Sequence, residues 1–269
     1  MNLLKIYQAG IAAAYQAGQI LYHYYGKLEN IQKKGVIDLV TEADIASEKI
    51  IKRVIQSQFP DHGFVAEESG ITQTNTPYQW IIDPLDGTTN YAHQIPVFAV
   101  SIAFAQEKQP LVGIVFNPIS QELFTAIKGR GAFLNGKEIE TSQTQYISDS
   151  VLVTGFPYNL KDIIEPLMIR FTKCLQTAQA VRRLGAASVD LCYVASGRFE
   201  GFWEQNLKPW DTAAGMLIAH EAGAYITDFS NQPYHYEMSE IVATNGHIHQ
   251  DLIHCLEINQ TGGVIHEKG

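Results

Sequence analysis

The residues best placed to do chemistry lie in the segment Trp80-Ile81-Ile82-Asp83-Pro84-Leu85-Asp86-Gly87-Thr88-Thr89-Asn90-Tyr91. Pro84 disfavours helical backbone at Asp83, so Trp80 to Asp83 reads as a short strand with Asp83 at its carboxyl tip. Asp86 follows in a tight turn, close enough to share a cation with Asp83. Between them the Leu85 carbonyl supplies a neutral oxygen suited to a hard ion. Gly87 and Thr88 then open a helix whose unpaired N–H groups and positive dipole end favour an anion. Cation ligands and a phosphate cradle thus sit side by side. Asp-Pro and Asp-Gly are also common turn dipeptides and Asp is a good helix cap, so Asp83 to Asp86 alone reads equally as a turn.

Two further acidic sites complement this one. Glu67 and Glu68 follow a possible short strand, Gly63 to Ala66. Adjacent side chains point in different directions, so one of the pair is expected to reach the site. Asp211, in Pro209-Trp210-Asp211-Thr212, falls in the first turn of a helix, where an acidic residue also serves the helix dipole.

The elements that must position these groups are legible in outline. Leu3 to Tyr25 reads as an amphipathic helix stopped by Gly26, and Thr41 caps a second helix running to about Gln58 before Pro60. Val97–Ala105, Leu111–Phe116 and Leu123–Ile127 read as an antiparallel meander. Asn135-Gly136 is a hairpin turn, and Gly129-Arg130-Gly131 is another rather than a nucleotide loop. Beyond residue 145 strands and helices alternate: Val151–Thr154, Leu160–Ala178, Ala187–Ser196, Phe199–Trp203, Asp211–Ala222, Ala224–Thr227, Ile241–Thr244, and a last helix over 246–258. A meander followed by alternation implies layered sheets and helices in two lobes, 1–145 and 146–258, with 259–269 as a loose tail.

Composition narrows the function classes. A net charge of −9 argues against nucleic acid as a ligand and fits a carboxylate cluster that holds cations. The three cysteines, Cys174, Cys192 and Cys255, have no CxxC spacing and read as buried reduced thiols. No stretch is long and apolar enough to span a bilayer, and Gln8, Gln16 and Gln19 interrupt any apolar signal-like run at the N-terminus, so a cytoplasmic protein is expected. His247 and His249 are the one close histidine pair and, lacking acidic or thiol partners nearby, read as surface residues.

The motifs Asp38-Leu39-Val40-Thr41-Glu42-Ala43-Asp44, Glu67-Glu68-Ser69, Trp80 to Tyr91 and Trp210-Asp211-Thr212-Ala213-Ala214-Gly215 resemble, in order and spacing, those of the inositol monophosphatase family. The resemblance covers roughly residues 5 to 258. It implies a layered αβαβα sandwich, with an antiparallel meander sheet in the first lobe and a mixed sheet in the second. It also implies a Mg²⁺-dependent phosphomonoesterase, with two to three Mg²⁺ ions per site and a homodimeric assembly. Members of the family are inhibited by Li⁺.

Carried over residue by residue, Glu67, Asp83 and the Leu85 carbonyl would hold one ion, and Asp83, Asp86 and Asp211 a second. Glu67 would help hold a third. The nucleophile would be a metal-bound water, activated by Glu67 and by Thr88 hydrogen-bonded to Asp44. Gly87 and Thr88 would bind phosphate. Glu204 would receive polyol hydroxyls, and Gly185-Ala186-Ala187, with Arg182 just before them, would contact the ring. In isolation these read as an exposed glutamate, a tight turn and a surface arginine. The stretches Thr154-Gly155-Phe156-Pro157-Tyr158 and Arg182-Arg183-Leu184-Gly185 are similar to bacterial or archaeal members, some of which also hydrolyse fructose 1,6-bisphosphate. Thr89-Asn90-Tyr91 fits the inositol branch better than the nucleotide or histidinol-phosphate branches. A transcription-machinery adaptor is the alternative from a different class, although the full ligand set has no use in a pure adaptor.

Overall fold

The computed structural model describes residues 2–28, 31–33, 39–72, 75–157 and 160–258. Asp38, Tyr158 and the tail beyond residue 258 lie outside the described residues.

Helix α1 (Leu3–Tyr24) begins where the Asn2 side chain accepts from the N–H groups of Leu4 and Lys5, and the chain leaves it through Gly26 at φ 73°. A short hairpin, β1 (Ile31–Lys33) and β2 (Leu39–Thr41), leads into α2 (Glu42–Gln56). Then come β3 (Gly63–Ala66), β4 (Gly70–Thr72), β5 (Tyr78–Asp86) and the five-residue α3 (Thr88–Ala92). The meander follows as β6 (Ala99–Gln106), β7 (Gln109–Asn117), β8 (Glu122–Ile127), β9 (Ala132–Leu134) and β10 (Lys137–Ile139). Asn135 and Gly136, both at positive φ, turn the last hairpin.

The second half begins with β11 (Val151–Thr154), α4 (Leu160–Thr177), β12 (Ala180–Arg182) and α5 (Ala187–Ala195). It ends with β13 (Gly201–Gln205), α6 (Pro209–Glu221), β14 (Tyr225–Thr227), β15 (Glu240–Thr244) and α7 (His249–Leu256). Pro209 occupies the first helical position of α6, where its missing N–H costs nothing.

Strands assemble in the order β10-β9-β8-β7-β6-β5-β3-β4 and β12-β11-β13-β15-β14. Helices α1 and α2 cover one face of the larger sheet, and α5 and α6 fill the space between the sheets. Helices α4 and α7 pack together outside the smaller sheet, which completes the αβαβα sandwich. Side chains alternate across the larger sheet with the strand period of two. Trp80, Ile82, Ile102, Phe104, Ile114 and Phe116 meet α1 and α2, whereas Ile81, Ala99, Ala103, Ala105 and Ala126 meet α5 and α6. The inner face is built of small residues so that α6 can approach closely. It carries Ala213, Ala214, Leu217 and Ile218 into that space, buried between layers.

Three expectations are corrected. The larger sheet is not a pure meander, because β3 pairs parallel to β5. Strand β5 does not stop at Asp83. It continues through Pro84 to Asp86, and its pairing with β6 slips between Asp83 opposite Ser101 and Asp86 opposite Ala99. Proline is tolerated there because a bulge already interrupts the ladder. His249 is buried, not on the surface, and its two ring nitrogens each lie 3.0 Å from a hydroxyl, those of Thr227 and Thr244. Burial lowers its pKa to about 4, so it is a neutral core residue. His247 is exposed as expected. The strands β2, β4 and β12 escaped the sequence reading because three residues carry no readable period. All three cysteines are free and buried, and among the described residues no helix is long and apolar enough to cross a membrane.

The close seat of α6 gives a test. A Cβ at Gly113 of β7 would fall 2.7 Å from the Ala214 carbonyl oxygen. Overpacking of this kind costs about 1–3 kcal/mol. Gly113→Ala should therefore lower the urea midpoint at unchanged m-value, and an unaltered midpoint would show that α6 is free to withdraw.

Candidate active site

A cleft of about 290 Å³ opens where the carboxyl end of β5, the start of α5, the end of β13 and the start of α6 converge. Glu67, Asp83, Leu85, Asp86, Gly87, Thr88, Gly185, Ala186, Ala187, Glu204 and Asp211 all line it. Asp44 stands one step behind them, through Thr88. Of the pair Glu67 and Glu68, only Glu67 lines the cleft, and the Glu68 N–H donates to Glu48 at 2.9 Å.

The bulge at the end of β5 aims two successive carboxylates into the cleft. Asp83 accepts from the Leu85 N–H at 2.9 Å, which holds the turn. Asp86 reaches across to α5, where the N–H and hydroxyl of Ser188 donate to its Oδ2 at 2.8 and 2.5 Å. Helix α5 has no side-chain cap of its own, so Asp86 acts as its N-cap from 102 residues away. Gly87 follows at φ 91°. A Cβ there would press on the Val97 carbonyl at 3.0 Å and the Ala186 methyl at 3.2 Å, so the position requires glycine.

Thr88 begins α3 and donates between the Leu85 carbonyl at 3.0 Å and Asp44 Oδ1 at 3.2 Å. The other Asp44 oxygen accepts from the Thr41 N–H at 2.8 Å and from the Thr41 hydroxyl. Asp44 therefore fills both roles open to it in the sequence, closing the capping box of α2 and facing Thr88. At the start of α6, Asp211 Oδ2 accepts from the Lys208 N–H at 2.7 Å. The carbonyl of the neighbouring Trp210 is tied to β6 by Ser101 Oγ at 3.3 Å. Asn90 fastens the two sides of the cleft by donating to the carbonyls of Val97 at 2.7 Å and Leu184 at 2.8 Å.

Electrostatically the cleft is under strain. Burial, then Glu67, Asp86 and Asp211, hold Asp83 well above the usual carboxylate range. Asp211 is raised by burial and by Asp86 and Glu67, against the pull of the Lys208 N–H. For Asp86 burial outweighs the Ser188 hydrogen bonds and the pKa is again raised. Burial pushes Asp44 up to about 6. Among the described residues no three such side chains are gathered at metal-ligand spacing. Yet Glu67, Asp83, Asp86 and Asp211 line one cleft together with Leu85, whose backbone carbonyl completes an all-oxygen donor set that suits a hard divalent cation. Their mutual repulsion is what a bound cation would relieve.

The chain is similar to known proteins along most of its length. A profile described as "Inositol monophosphatase family" matches residues 2–261. The chain belongs to the inositol monophosphatase family. It is 44% identical over 246 residues to an inositol-1-monophosphatase of Synechocystis, covering 91% of this chain and 86% of that one. It is 39% identical over 254 residues to a fructose-1,6-bisphosphatase/inositol-1-monophosphatase of Aquifex aeolicus, covering 94% and 95%. Among solved structures, the extragenic suppressor protein suhB of Bartonella henselae superposes with a TM-score of 0.91 at 38% identity, covering 96% and 100%.

One expected contact lies elsewhere. Arg182 is exposed at the end of β12, with Nη1 3.2 Å from the Val181 carbonyl, and does not line the cleft. The next residue, Arg183, does. Successive residues leaving a strand point opposite ways, so an expectation off by one places the side chain on the wrong side. Sequence reasoning also missed Ser188 and Asp190. A serine in the first turn of a helix is a signal for a donor, but its carboxylate partner is set by the tertiary fold. Asp190 sits on the α5 face turned to the cleft charges, fully buried, and neither of its oxygens has a hydrogen-bond partner among the described residues.

Carboxylates raised above their unfolded values make the folded, metal-free protein bind more protons than the unfolded chain. Their contribution to stability is present below the unfolded carboxylate range and is lost as pH passes the folded values, near 6 for Asp44. In chelator, the thermal midpoint should therefore fall between about pH 5 and about pH 8. A midpoint that climbs across the same range in EDTA would show that the cluster does not repel itself.

Proposed function

We propose that the protein is a Mg²⁺-dependent phosphomonoesterase whose main substrate is an inositol monophosphate. The observation that carries this reading is the mutually repelling set of buried Asp83 and Asp86 with half-buried Asp211, facing Glu67 and adjoining the Gly87-Thr88 turn. When bound, Mg²⁺ ions neutralise phosphate charge, lower the pKa of water and stabilise the leaving alkoxide, in a reaction that enzymes accelerate by up to about 10²¹-fold. Glu67, Asp83, Asp86, Asp211 and the Leu85 carbonyl are the groups that would hold them.

The remaining steps belong to this chain. The N–H groups of Gly87 and Thr88 orient the phosphate at the mouth of α3. Glu67 and the Thr88 hydroxyl position the attacking water, and Asp44, 3.2 Å from Thr88 Oγ1, takes up the proton that Thr88 relays. Thr41 and the start of α2 hold Asp44 in place for that task. Glu204 receives hydroxyls of the leaving polyol. With Glu67, Asp83, Leu85 and Asp86 in the first lobe and Glu204 and Asp211 in the second, the lobes 1–145 and 146–258 would both contribute to the site. A homodimer, a cytoplasmic location and inhibition by Li⁺ are supported by family membership alone.

A second reading, hydrolysis of fructose 1,6-bisphosphate, is favoured by the Aquifex relative that bears both names. Phosphate release from inositol 1-phosphate and fructose 1,6-bisphosphate, measured side by side with and without Mg²⁺, separates the two. Release should require Mg²⁺, favour inositol 1-phosphate and fall by at least about 10³-fold in Asp83→Asn, which would take a charged ligand from the cation site. An Asp83→Asn protein that is folded and fully active would refute the metal assignment.

A further inference from the structure

The leaving-group end of the cleft holds a pair of opposed charges that the phosphate chemistry does not use. Glu204, on β13, is only 8% exposed. Arg183, just beyond β12, lines the same cleft from its rim. Each is seated against a glycine. A Cβ on Gly155 would fall 2.2 Å from both Glu204 carboxylate oxygens, and one on Gly185 would fall 2.5 Å from Arg183 Nη1. The guanidinium also lies over Phe156, 5.9 Å from the ring centroid, within reach of a cation–π contact. Asp190 lies behind this pair, buried and without a hydrogen-bond partner among the described residues.

Burial and neighbouring carboxylates hold Glu204 and Asp190 well above the usual carboxylate range, and Arg183, exposed at the rim, is the cation that works against this. Lys208, at the same rim, acts instead on Asp211. The leaving-group end therefore sets one guanidinium against two buried carboxylates, and it is not a positive pocket.

A carboxylate only accepts hydrogen bonds and a guanidinium only donates them, whereas a hydroxyl does both. Neighbouring hydroxyls satisfy the pair in one pose, the first donating to Glu204 and the second accepting from Arg183. A second phosphate would find Arg183 but would lie against Glu204 and Asp190. We propose that Arg183 is a specificity residue that works with Glu204 to select an uncharged polyol leaving group over a phosphorylated one. The inference rests on the phosphatase reading above and names the substrate class of that same cleft.

The test compares wild type, Arg183→Gln, Arg183→Lys and Glu204→Gln on inositol 1-phosphate, fructose 1,6-bisphosphate and p-nitrophenyl phosphate, which has no hydroxyls to read. Arg183→Gln should raise KM for inositol 1-phosphate by about tenfold while p-nitrophenyl phosphate stays within about twofold, as expected for loss of a charged hydrogen bond to the polyol alone. Arg183→Lys, which keeps the charge but not the fork, should recover part of the loss. Glu204→Gln should move the ratio of kcat/KM values toward the bisphosphate. An unchanged KM for inositol 1-phosphate in Arg183→Gln, or an equal loss on p-nitrophenyl phosphate, would overturn the inference. A wild-type protein that hydrolyses none of the three would overturn the phosphatase reading and this inference with it. Activity of the wild type on p-nitrophenyl phosphate tells the two failures apart.

Discussion

The carboxylate of Asp86 is the joint on which the structure turns. It leaves the end of β5 in the larger sheet and caps α5 in the layer between the sheets, through the N–H and hydroxyl of Ser188. A buried carboxylate is costly unless it is hydrogen-bonded or paired. Here the helix N-terminus supplies both donors and a favourable dipole. The same side chain lines the cleft. One side chain therefore fixes the position of α5, and with it Ala186, Ala187 and Asp190, relative to the acidic cluster. The bulge between Asp83 and Asp86 makes this possible, because an unbroken ladder would have turned one of the two carboxylates into the sheet.

Around this joint the fold trades stability for a chemical site. Aromatic and branched residues fill the outer face of the larger sheet, whereas alanines and Gly113 on the inner face let α6 come close and bring Asp211 opposite Asp83. Burial raises Asp83, Asp86 and Asp211, and repulsion from neighbouring carboxylates raises Asp83 and Asp211 further. Such an arrangement persists because the surrounding layers hold it, which is how functional strain is stored in a rigid frame. Arg183 and Glu204 repeat the pattern on a smaller scale, each given room by a glycine.

Much of this was legible in the residues themselves. The segment from Trp80 to Tyr91 shows two carboxylates, a carbonyl and a helix start within a few positions, and Asp83, Leu85, Asp86, Gly87 and Thr88 all line the cleft, although the strand runs on to Asp86. Asn135-Gly136 marks its hairpin, and helices over 187–196 and 211–222 are found as α5 and α6. The misses share a physical cause, since local patterns do not report tertiary surroundings. Pro84 biases the backbone of Asp83 but cannot reveal that β6 keeps pairing beyond it. His249 looks like any polar residue near a helix start until Thr227 and Thr244 are seen on either side. Ser188 and Asp190 gain meaning only from Asp86 and Glu204, which are distant in sequence. The choice between Arg182 and Arg183 depended on one residue of strand phase.

The central claim, that Asp86 joins the lobes at a cation site, is tested most directly by the Mg²⁺ dependence of the thermal midpoint. The wild type should rise with Mg²⁺ and saturate, because a ligand of the native state stabilises by mass action. In Asp86→Asn the rise should be lost or moved to at least about tenfold higher Mg²⁺, as a charged ligand is removed. A wild-type midpoint indifferent to Mg²⁺, or a variant that follows the wild-type curve, would contradict the account.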